Sequence, residues 1–225
     1  MSATSFRNAT WTWVFWIVVL VAGTVYVAGG RFPVPLPFLN EQSLFVASVE
    51  IALAFVFLGW PLLLPSSLRE SQGARDEILN VLMQILVMLL FAMPVLLTAQ
   101  ALSGVPAGAF MSAFGLVLGS AALVGAIHLL GRSFRRDIRP HYYFALFLSQ
   151  SALPYLGYLV LEFAHQDAWG LVRFFSPFVS VMGVHGDSLA LGQGAAYCIL
   201  AIALGVAVHV RNRSPEVNKQ AQPGR

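Results

Sequence analysis

Glu50 and Glu162 stand within or at the edge of long apolar runs, where a carboxylate is costly enough to need a reason. For Glu50 two reasons are open. One is a place on a substrate pathway; the other is a structural hydrogen bond or a neutral, protonated state. Glu162 ends its run close to water and suits an interfacial role. Gln150, flanked by Ser149 and Ser151, adds polar character to that same run, so the runs carrying Glu50 and Gln150 could line one polar route. Three imidazoles, His128, His141 and His209, fall near the same-side ends of the fourth, fifth and sixth apolar runs, the fifth being the one with Gln150. At one depth they could hold a metal or a haem. No HxxxH spacing and no Cys or Asp cluster accompanies them, so no metal-ligand set is assigned. Neither G-x-S-x-G nor HExxH occurs, and no catalytic residue is nominated.

The elements that must hold these side chains are six apolar runs, at about 11–30, 43–64, 78–99, 107–130, 142–163 and 188–210. Each is long enough to cross ~30 Å of hydrocarbon as a helix that satisfies its own backbone. The 225 residues are 58% hydrophobic and only 10% charged. A soluble domain carries roughly 25% charged residues, so a water-exposed fold is excluded. The expected fold is all-α: one polytopic transmembrane domain over 1–225 with six spans and a disordered polar tail at 211–225. The first run follows Arg7 and precedes small residues, as a secretory signal would, but Trp11, Trp13 and Trp16 read as an interfacial belt of a retained span. Pro61, Pro94 and Pro154 are expected to bend their spans. Gly115 and Gly119, on a small-residue stripe of the fourth run, mark a close helix-packing face. Cys198 has no second cysteine to pair with.

Cationic residues then set the sidedness. Arg7, Arg69, Arg75, Arg132, Arg135, Arg136, Arg139, Arg211, Arg213, Lys219 and Arg225 fall on the side of the N-terminus, and only Arg31 and Arg173 on the other. Eleven against two predicts that both termini are cytoplasmic and that the protein sits in the inner (cytoplasmic) membrane. The net charge of +3 is read as topology and contact with anionic lipids, with no nucleic-acid partner. The connector between the second and third spans is strongly charged, and Ser67 with Glu70 fits a capping box there. The long connector before the sixth span carries Trp169, Phe174, Phe175 and Phe178, too apolar for a free loop. It is expected to fold back as short re-entrant helices broken near Ser176-Pro177.

The segment Leu68-Arg-Glu-Ser-Gln-Gly-Ala-Arg-Asp-Glu-Ile-Leu79 and the string Phe175-Ser-Pro-Phe178 resemble motifs of the type 2 ATP-binding-cassette (ABC) exporter permease family. With the span count and the cytoplasmic termini, the resemblance covers most of the chain. It implies that Arg69, Glu70, Gly73, Arg75, Asp76 and Glu77 form a coupling element that docks on a cytoplasmic ATPase. It also implies a second permease copy or paralogue as partner, a substrate route along the helix interface, on which the polar residues Glu50, Gln150 and Glu162 read above are the candidates, and a re-entrant segment at Phe175, Ser176 and Pro177. ATP and Mg would be bound by that ATPase, since no GxxxxGK[ST] phosphate loop occurs and no cofactor is expected in this chain. Two rival readings remain. One is a membrane accessory subunit of a respiratory or cofactor-maturation complex that uses the histidines. The other is a small intramembrane enzyme.

Overall fold

The computed structural model of the chain describes residues 41–62, 64, 74–134, 138–164, 172, 175–181 and 189–220, with four helical positions (14, 18, 21 and 22) from the first predicted span. The rest of that span, and Arg69, Glu70 and Gly73, lie outside the described residues. The architecture is all-α. Helix α1 covers Glu41–Ala54 and passes into a π turn, Phe55–Gly59. Helix α2 is Ala74–Ser103 and α3 is Ala107–Ser133. Helix α4, Arg139–Phe147, runs through a second π turn, Leu148–Ala152, into α5, Leu153–Ala164. A short helix α6, Pro177–Val181, precedes α7, Leu189–Gln220.

Among the described residues, five of the resulting continuous helices are long and apolar enough to cross a membrane. Helix α2 shows why lipid is the solvent. Its face with Val81, Ile85, Met88, Ala92, Leu96 and Ala99 is buried in the bundle. The opposite face carries Leu79, Leu82, Met83, Leu86 and Leu90, all exposed. A helix apolar all round is stable against hydrocarbon, not against water. This is a multi-span membrane protein.

Helices α3 and α7 form the most extensive contact, and their glycines explain it. A Cβ on Gly119 would overlap the backbone of Gly194, and a Cβ on Gly194 would overlap the backbone of Gly115. Without side chains the two backbones touch, which brings dispersion contacts into range where no hydrophobic driving force exists. Gly115 itself faces the Leu191 side chain. Turning from α2 into α3, Gly104 adopts φ +64, the left-handed conformation that glycine reaches at no steric cost.

Two expectations change. Past Arg211, where a disordered tail is expected over 211–225, helix α7 continues as far as Gln220 and includes Pro215; residues 221–225 lie outside the described residues. Pro61 and Pro154, expected to bend their spans, each follow a π turn by two residues, so the helix widens just before them. Proline at position i has no N–H for the carbonyl of i−4 and its ring crowds that oxygen; inserting one residue into the preceding turn relieves the clash. Pro94, inside α2, is accommodated without a π turn.

Candidate functional site

A cluster of polar side chains meets across helices at the arginine-bearing end of the bundle, where α2 and α4 begin and α3 ends. Asp76 and Glu77 occupy the first turn of α2, where the helix dipole favours acidic groups. Arg132, in the last turn of α3, forms an ion pair with Glu77. The Glu77 side chain is only 13% exposed and that of Arg132 33%, so solvent screens this pair less than a surface bridge. Asp76 and Arg75, the two residues before Glu77, are exposed.

Two turns further along α2, Gln84 accepts a hydrogen bond from the indole Nε1 of Trp60 at 2.9 Å and donates to Asn80 Oδ1 at 3.1 Å. Trp60 is fully buried, and a buried indole N–H needs an acceptor of this kind. Gly125 on α3 makes room for it: a Cβ there would press on Val81 and on the rim of the Trp60 ring. The end of α1 is therefore fastened to the start of α2, and the start of α2 to the end of α3.

Tyr142 and Tyr143 complete the site from α4. The Tyr142 hydroxyl donates to the carbonyl of Phe57 at 2.9 Å, and the Tyr143 hydroxyl donates to the carbonyl of Leu58 at 3.0 Å. Both acceptors belong to the first π turn. His128, buried in α3, sets its ring edge-on to Tyr142 with centroids 5.1 Å apart. Its Nδ1 lies 2.9 Å from the carbonyl of Val124, an acceptor only, which places the ring proton on that nitrogen. Arg211 of α7 closes the rim by stacking 3.8 Å above the Phe134 ring at the end of α3.

The remaining residues singled out in the sequence are dispersed. His141 and His209 are exposed while His128 is buried, so the three do not share a centre. Among the described residues no three His, Cys, Asp or Glu side chains come together as a metal site requires. Glu50 is half-buried on α1 and makes no hydrogen bond or ion pair among the described residues. Gln150 lies in the second π turn, where its Oε1 accepts a hydrogen bond from Ser176 at 2.7 Å and its Nε2 donates to Ser149 at 3.1 Å. Glu162 is exposed near the end of α5. Ser176 and Pro177 are buried and Phe175 is exposed; α6 packs against α1, α3 and α7. Gln150 and Glu50 are thus not bonded to each other, and the Ser-Pro segment bonds to the former and packs on the helix carrying the latter.

Sequence reasoning did not reach Trp60, Asn80, Gln84, Tyr142 or Tyr143. Two signals were available: Asn80 and Gln84 at the i, i+4 spacing of one helix face, and a Tyr-Tyr pair directly after an arginine-rich turn. Set against known proteins, the chain matches no family model, no curated protein and no solved structure.

Proposed function

We propose that this chain is the membrane-spanning permease subunit of an ABC transporter, moving an unidentified substrate across the cytoplasmic membrane with energy from a separate ATPase. The observation that supports it most is the Glu77–Arg132 pair. The charged connector between α1 and α2 is the segment such an ATPase would grip, and Glu77 stands at its inner edge. A force on the connector would pass through this pair into α3, and through Trp60 and Gln84 back into α1. Asp76, exposed one residue earlier, is free to contact a partner surface. A second copy or a paralogue would complete the transporter, and ATP and Mg would be held by the ATPase.

The test is purification from the native membrane in mild detergent, followed by mass spectrometry. A stoichiometric ATPase is expected, with Glu70→Ala and Asp76→Ala together lowering its recovery by about tenfold or more, as loss of central interface contacts does. A complex with no ATPase, or full recovery after both substitutions, would reject the assignment.

A further inference from the structure

In an unbroken α-helix the carbonyl of Phe57 would accept from the N–H of residue 61, but that residue is Pro61. The π turn widens the backbone around it, with the Trp60 N–H turned to the carbonyl of Phe55, and the carbonyl of Leu58 comes next along the same turn. In hydrocarbon each must find a donor, and each finds a tyrosine hydroxyl from α4. The carbonyl four residues before Pro94, by contrast, belongs to Leu90 on the exposed face of α2, and no π turn forms there.

We propose that the π turn before Pro61 is a hinge in α1 and that the hydroxyls of Tyr142 and Tyr143 are the latch that holds it. On one side of the turn, α1 is locked into the bundle by Phe45, Val49, Ala52 and Leu53, all fully buried. On the other side, Trp60 is bonded to α2, so the end of α1 moves with the start of α2 and with the connector between them. The latch donors ride on a third element. The span formed by α4 and α5 is the least buried of the five, with Phe144, Phe147, Tyr155 and Leu156 all exposed, so a shift of it disturbs little of the core beyond the Tyr142 contact with His128. A shift of α4 withdraws two adjacent donors together and frees the hinge. The inference rests on the permease reading for what would drive the movement, and not for where the helix bends.

Hydrogen exchange by mass spectrometry on the purified chain in lipid nanodiscs, without any ATPase, tests it. Tyr142→Phe should speed exchange of the peptide spanning 55–62 by about three- to tenfold, and Tyr142→Phe with Tyr143→Phe by more, while α3 keeps its wild-type rate. Pro61→Ala supplies the missing N–H to the carbonyl of Phe57, so in that background Tyr142→Phe should change nothing. Unchanged exchange overturns the hinge, as does a rise spread over every helix or one of equal size in the Pro61→Ala background. Should Tyr142→Phe fail to fold, Pro61→Ala with Tyr142→Phe is expected to fold; failure of both also overturns it. With the ATPase absent, a negative result here leaves the co-purification test standing, and the reverse holds equally.

Discussion

Glu77 and Arg132 sit where an ion pair changes character, at the rim of an apolar bundle and only partly open to water. A solvated bridge contributes about 0–1 kcal/mol, whereas removing one partner from a shielded pair leaves a charge without compensation. Arg132→Met is therefore expected to destabilise the fold by about 1–3 kcal/mol, and Glu77→Gln by less, because an amide oxygen still accepts a hydrogen bond. A double-mutant cycle followed by thermal unfolding in detergent should return a coupling of about 1 kcal/mol. A coupling indistinguishable from zero would make the pair an ordinary surface bridge and remove the mechanical link invoked for the connector. Trp60 belongs to the same scale. Its indole N–H is satisfied by Gln84, so Gln84→Leu should cost about 1–3 kcal/mol by leaving a buried donor unmet, read from the same melts.

Helices in this molecule meet by two different devices. At the α3–α7 contact, Gly115, Gly119 and Gly194 let backbone approach backbone. Gly119→Ala forces a methyl against the Gly194 backbone, which has no side chain to swing aside, and should cost about 1–3 kcal/mol. Gly108→Ala, on the same helix with open space at its Cβ, is the control and should leave the melting temperature unchanged. An equal loss at Gly108 would show that the cost at Gly119 is not a clash at the helix contact, since helix propensity alone favours alanine over glycine. The long span made of α4 and α5 uses the second device. Hydrogen bonds carry much of its attachment, from Tyr142 and Tyr143 to the first π turn and from Gln150 to Ser176, with Gly157 giving space to Val172. Directional bonds of this kind can be exchanged one at a time, while a glycine seam must separate along its length.

For the whole molecule, the membrane orientation is the property that most of the functional reading depends on. Cysteines placed beside Arg135 and within 221–225, in a Cys198→Ala background, should resist a membrane-impermeant thiol reagent added outside intact cells and react after permeabilisation. Labelling in intact cells would put the arginine-bearing end outside and remove any cytoplasmic motor from its reach. The long apolar runs were legible from residue order alone, because spanning hydrocarbon demands some twenty apolar residues in unbroken sequence, and that is a local requirement. Charge asymmetry was legible for the same reason, being a count along the chain. Partners were not. That Tyr142 would serve the carbonyl freed by Pro61, 85 positions apart in sequence, or that Gln150 would turn to Ser176 and not towards Glu50, depends on which helices lie side by side. Hydropathy says only that a segment is buried in lipid; it is nearly silent about which face meets which neighbour, since lipid and protein interior are equally apolar. Close glycine contact and directional hydrogen bonds make that choice, and both exist only once the helices have packed.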